Sequence, residues 1–170
     1  MNTVINIKND DALDIITKFK DKEYVMCDIR FENTNLRMIN ELIRSNLFYK
    51  NDLFANSTTL WELMQPQEKQ DDQESHNYHG LTPLDILDAL NNIISPYCIF
   101  KTKQNRISII LSCLSHFGEP LMAVVEIGAD LIKKKNAKIN KLVTMYPKSN
   151  IEKIIDKLEP NELLYLNKLP

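Results

Sequence analysis

The residues of this chain that could do chemistry are few, and the best placed is a histidine. His79-Gly80-Leu81-Thr82-Pro83 stands where a polar stretch ends and a regular apolar pattern begins. Thr82 is a good N-cap. Pro83 suits the first helical turn because its missing N–H would go unbonded there, and Asp85 follows at the capping-box distance. The spacing predicts a helix from Pro83 to about Ile94, with Leu84, Leu87, Ala89 or Leu90, and Ile94 facing a core. His79 then sits just outside the first turn. The positive end of a helix favours a neutral imidazole and an anion docked beside it. A neutral imidazole beside an anion is the arrangement of a general base. The plainer alternative is a turn histidine whose ring is satisfied by backbone groups.

The other candidates are weaker. His76 lies in a polar stretch and reads as solvated; His116 lies in a hairpin turn and reads as a surface residue. Asp85 and Asp88 share a helix, but Asp85 has a cap to make, so no carboxylate dyad is read. Cys27, Cys98 and Cys113 have no CxxC spacing and each lies in an apolar run, which predicts buried free thiols with no disulfide and no zinc site. Lysines crowd between Lys133 and Lys148, while acids gather from Glu68 to Glu74. The lysine run reads either as a solvated face or as a strip facing phosphate.

At 170 residues, 44% of them hydrophobic, the chain can bury a real core as one large domain or two small ones. A net charge of −2 and a pI near 5.9 give no global basic field for a polyanion. The N-terminus has no basic region followed by an apolar block, and no stretch is long enough to span a membrane.

These side chains must be positioned by an α+β framework. Residues 1–54 read as a small α/β segment. It has a strand at Val4–Ile7, a helix capped by Asp10 or Asp11, a strand over Tyr24–Phe31, and a helix capped by Asn33 or Thr34. Residues 55–78 hold one short helix over Ser57–Met64, carrying the single Trp61, and then a mobile polar linker. From residue 79 the period changes. After the Pro83 helix come strands at Tyr97–Thr102, Arg106–Leu114, Pro120–Ile127 and Ala137–Tyr146, then a helix capped by Ser149 and a last strand at Leu163–Leu166. The short connections imply an antiparallel meander. The expected fold is therefore an antiparallel sheet of four to five strands packed against helices, preceded by the smaller α/β segment. Its open face is a place to lay a nucleic-acid strand.

An ordered set of short motifs runs through the second half. They are His79-Gly80-Leu81-Thr82, Ile94-Ser95-Pro96-Tyr97-Cys98-Ile99-Phe100, Gly118-Glu119-Pro120-Leu121, Thr144-Met145-Tyr146 and Leu164-Tyr165-Leu166-Asn167-Lys168. This set resembles the phage MuF carboxy-terminal domain, within the barnase–EndoU–colicin–RelE-like group of nuclease toxins, and it covers residues 79–168. The resemblance implies that residues 79–170 form a metal-independent ribonuclease acting as a toxin in bacterial competition or phage biology. It aligns His79 with the family's helix-opening histidine, and Thr144 and Tyr146 with its hydroxyl-x-tyrosine pair. Threonine in place of the commoner serine and the acidic pI are departures from the family pattern.

RNA cleavage without a metal needs a base for the 2′-hydroxyl, an acid for the leaving 5′-oxygen, and donors for the charged phosphorane. The expected roles are His79 as base, Tyr146 and Thr144 as acid or phosphate donors on one strand face, and Lys138, Lys141 and Lys148 as RNA-binding cations. No metal or other cofactor is implied. The implied partners are RNA, such as tRNA, and a cognate immunity protein or antitoxin, with action in the cytoplasm after delivery to a target cell. The alternative is a non-catalytic RNA- or protein-binding module of the same fold. Residues 1–78 have no counterpart in the resemblance and read as a delivery-related, leader or partner-binding region.

Overall fold

The computed structural model describes residues 4–8, 10–21, 26–32, 34–48, 52–67, 78–103, 105–132 and 134–167, without the side chains of 134–136. In chain order the elements are β1 (Val4–Ile7), α1 (Ala12–Lys20), β2 (Asp28–Phe31), α2 (Arg37–Leu42), β3 (Leu53–Asn56) and α3 (Ser57–Met64). They continue as α4 (Pro83–Asn92), β4 (Pro96–Lys103), β5 (Arg106–Leu114), β6 (Pro120–Leu131), β7 (Lys134–Pro147), α5 (Ile151–Ile155) and β8 (Leu163–Leu166). The linker 68–77 with its acids and His76, and also Tyr24, Val25, Asn33, Lys133 and Lys168, lie outside the described residues.

Among the described residues eight strands join one mixed sheet in the order β1-β2-β3-β7-β6-β5-β4-β8. The meander is present: β7, β6, β5 and β4 pair antiparallel in turn, and β8 closes antiparallel on β4. The expectation of a four- to five-stranded antiparallel sheet packed against helices, preceded by a smaller α/β segment, is corrected. The molecule is mostly one large sheet with few, short helices, and β1, β2 and β3 extend that same sheet. The join is β3 lying parallel to β7, with Leu53 opposite Asn140 and Phe54 opposite Lys141. The physical reason is length. β6 and β7 run 12 and 14 residues, far beyond the meander's shorter strands, and so present an extra edge that β3 covers. Side-chain bonds reinforce the join: Asn140, 1% exposed, donates Nδ2–H to the Asp52 carbonyl at 3.3 Å, and Ile132 N–H donates to Asp28 Oδ2 at 2.9 Å.

One core cluster runs through both halves, from Ile7, Ile16 and Ile29 through Leu60, Leu63, Leu81, Ile86 and Ile93 to Ile109, Val125, Leu142 and Met145. Such aliphatic side chains each stabilise the fold by about 1.5–3 kcal/mol when fully buried. A second cluster of Cys98, Phe100, Ile110, Met122 and Ile151 takes the alternate strand residues, with Tyr146 packed against it. The helix caps differ in detail from expectation. Asn56 caps α3, Asn150 in a left-handed conformation precedes α5, and Asp11 and Leu36 precede α1 and α2 without a side-chain cap bond. In α4 Ile86, Ala89 and Leu90 are buried, Ile93 at its C-cap continues them, and Leu87 and Ile94 pack against the same core as expected, while Leu84 is 54% exposed because Asp85 beside it turns inward. Cys27 and Cys98 are buried free thiols and Cys113 is half-buried; burial pushes Cys98 up to about 11. Among the described residues no helix is long and apolar enough to cross a membrane.

Candidate active site

His79 is held by the backbone that follows it. Gly80 N–H donates to the Gln65 carbonyl at 2.7 Å and Leu81 N–H to the Leu63 carbonyl at 2.9 Å, which straps this turn to the end of α3. Gly80 has φ +63°, a conformation that glycine adopts without the strain a Cβ brings. Leu81 is buried in the main core. Thr82 and Asp85 then form the full capping box: Thr82 N–H and Oγ1–H donate to Asp85 Oδ2 at 2.7 and 2.8 Å, and Asp85 N–H donates to Thr82 Oγ1 at 3.1 Å.

The strapped turn meets β7. β3 pairs with β7 only at Asn140 and Lys141, so among the described residues no strand lies on the outer edge of the half that carries Thr144 and Tyr146. There His79 Nε2 lies 3.2 Å from Thr144 Oγ1, and the His79 and Tyr146 rings are 5.3 Å apart at a tilt of 36°. These three side chains, distant in sequence, are thus brought together. Lys148 joins them, its Nζ 5.9 Å from the Tyr146 ring centroid, on a chain held by Lys148 N–H donating to the Pro120 carbonyl at 2.8 Å. Lys138 and Lys141 do not join them. Lys138 Nζ is bonded to Asp130 Oδ1 at 2.8 Å, and Lys141 lies opposite Glu126 in the sheet.

A pocket of about 320 Å³ opens over this cluster, lined by Gln67, His79, Phe117, Glu119, Tyr146 and Pro147. Burial lowers the His79 pKa to about 4, so the imidazole is neutral at pH 7. Burial raises the Tyr146 pKa, so its phenol keeps its proton and can donate. Sequence reasoning missed Phe117 and Glu119, which sit in the β5–β6 turn. A turn reading predicts exposure there and carries no signal for what the turn folds against.

That turn is anchored by Asp85. His116 N–H donates to Asp85 Oδ1 at 2.8 Å, and His116 Nδ1 lies 2.6 Å from Asp85 Oδ2. His116 is therefore more than a surface residue: it ties the β5–β6 turn to the start of α4. Asp85 is only 5% exposed. Burial pushes its pKa up, but the hydrogen bonds from Thr82 and His116 outweigh burial and leave it below the usual carboxylate range. Asp85 serves as a structural acid, with both oxygens occupied. Among the described residues no group of three or more His, Cys, Asp or Glu side chains is arranged to hold a metal ion.

The model of the phage MuF-C-terminal domain family matches residues 69–169. No curated protein and no solved structure matches the chain. With more than half of its length covered, the chain belongs to the phage MuF-C-terminal domain family.

Proposed function

We propose that this member of the phage MuF-C-terminal domain family is a ribonuclease toxin that cleaves RNA by attack of a 2′-hydroxyl on the adjacent phosphate. The observation that supports it most is the contact of His79 with Thr144 and Tyr146 beside an open pocket that His79 and Tyr146 line. These are the residues whose motifs resemble the nuclease toxin group.

In this reading His79 donates Nε2–H to Thr144 Oγ1, which leaves Nδ1 to take the proton of the 2′-hydroxyl. The 2′-oxygen forms a bond to phosphorus, the bond from phosphorus to the 5′-oxygen breaks, and Tyr146 gives its proton to that leaving oxygen. The proton held by the His79 imidazolium then returns through water to the Tyr146 phenolate, which restores both groups. The products are a 2′,3′-cyclic phosphate and a 5′-hydroxyl. Lys148 faces the negative charge of the phosphorane. A base with a pKa near 4 is weak, but a phosphate anion in the pocket attracts the imidazolium and moves the His79 pKa toward working pH. Action in the cytoplasm of a target cell, and neutralisation there by an immunity protein, belong to the same proposal.

The second reading is a non-catalytic RNA- or protein-binding module, favoured by the low basicity of His79 and by Glu119, an acid, in the pocket wall. One experiment separates the two: purified protein incubated with tRNA and total RNA in EDTA. Cleavage that disappears in His79→Ala is the expected result. Intact RNA at high protein concentration would decide for the binding module.

A further inference from the structure

We infer that Phe117 is a nucleobase-stacking platform, and that the pocket beside His79 binds one base of the RNA as well as its phosphate. The inference rests on the ribonuclease reading and adds to it a subsite lined by a second residue of the same pocket. Phe117 is a large apolar side chain that stays 53% exposed while lining the same pocket as His79 and Tyr146. Exposed aromatic rings at a pocket that handles phosphate are the usual means of holding a base, because every base has a π-face.

Phe117 is also held in place. Its ring lies against His116, centroids 3.8 Å apart at a tilt of 39°. His116 is bound through both its backbone N–H and its ring to the buried carboxylate of Asp85. That carboxylate caps α4 three residues beyond Thr82, in the turn that begins at His79. On the other side, a Cβ at Gly80 would stand 3.7 Å from the Phe117 Cζ, so the tip of the ring reaches the backbone next to His79. The turn that carries Phe117 and the turn that carries His79 are thus tied to each other through a hydrogen-bonded carboxylate. A ring ordered before binding loses little entropy when a base stacks on it. The volume of about 320 Å³ lies within the range of small-ligand pockets.

The test uses the whole protein and two ligands that differ only by the base, adenosine 5′-monophosphate and ribose 5-phosphate, in calorimetric titrations. The wild-type protein should bind the nucleotide at least about tenfold more tightly than the sugar phosphate. Phe117→Ala should weaken nucleotide binding by roughly fivefold to a hundredfold and leave ribose 5-phosphate unchanged, and Phe117→Trp should restore the preference. Because Phe117 is exposed, the alanine variant keeps the core intact. Equal affinity for the two ligands in the wild type, or a parallel loss of both in Phe117→Ala, would overturn the inference. RNA cleavage by the same preparation keeps the two failures apart. Cleavage with equal affinities removes the platform alone. Base-dependent binding without cleavage supports the platform and removes the catalytic reading.

Discussion

Between pH 6.5 and about 4, His79 binds fewer protons in the folded protein than in the unfolded chain, because burial has lowered its pKa. Stability rises with pH wherever the unfolded state holds more protons, so the contribution is fully present above pH 6.5 and is lost as pH falls toward 4. Urea denaturation at pH 7 and pH 5 should show the wild type losing more stability on acidification than His79→Gln does; equal losses would mean that His79 titrates normally. Asp85 acts in a different window. Its depressed pKa gives stability that is present above its ordinary value of 3.8 and is lost only as pH falls below that. The residue scale is also where the sequence spoke most clearly. A histidine next to a Thr-Pro-x-Asp helix start was legible as a group held in place, because capping chemistry is local. That His79 would meet Thr144 depended on a contact across 65 positions, which only the family resemblance suggested.

At the scale of elements, the start of α4 is the part to which both the His79 turn and the β5–β6 turn are tied. Its cap residue Asp85 receives Thr82 N–H, Thr82 Oγ1–H and two groups of His116. Asp85→Ala strips all of these donors of their acceptor and should destabilise the protein by about 1–3 kcal/mol in urea, with Thr82→Ala costing about 1 kcal/mol. Asp85→Ala should also raise the flexibility of the β5–β6 turn, read as faster amide exchange at His116 to Gly118. Unchanged exchange there would deny the carboxylate its anchoring role. The start of α4 was readable from Thr82, Pro83 and Asp85, and the strands of the meander from their apolar runs. Of the residues expected to face the core from this helix, Leu87, Ala89, Leu90 and Ile94 do so and Leu84 does not, because Asp85 beside it is buried. Its burial is made possible by His116, thirty-one positions away.

At the scale of the molecule, β1, β2 and β3 share the sheet and the main core with the family-matched residues. Trp61 fluorescence and far-ultraviolet circular dichroism should therefore report one coincident urea transition; two separated transitions would show that the halves fold independently. This continuity was hidden in the sequence, since four-residue strands such as Leu53–Asn56 carry no mark of their partner. The long β7 with its buried Asn140 makes the partner. The same long strand brings Thr144 and Tyr146 to His79, so the catalytic proposal and the fold share one element. The most direct test of that proposal is end-group analysis of RNA fragments produced in EDTA, with a substrate carrying a single 2′-deoxy nucleotide at the cleaved position as control. The expected result is fragments ending in 2′,3′-cyclic phosphate and 5′-hydroxyl, no cleavage at the 2′-deoxy position, and no cleavage anywhere with His79→Ala. Cleavage that persists at the 2′-deoxy position, or that His79→Ala leaves intact, would contradict it.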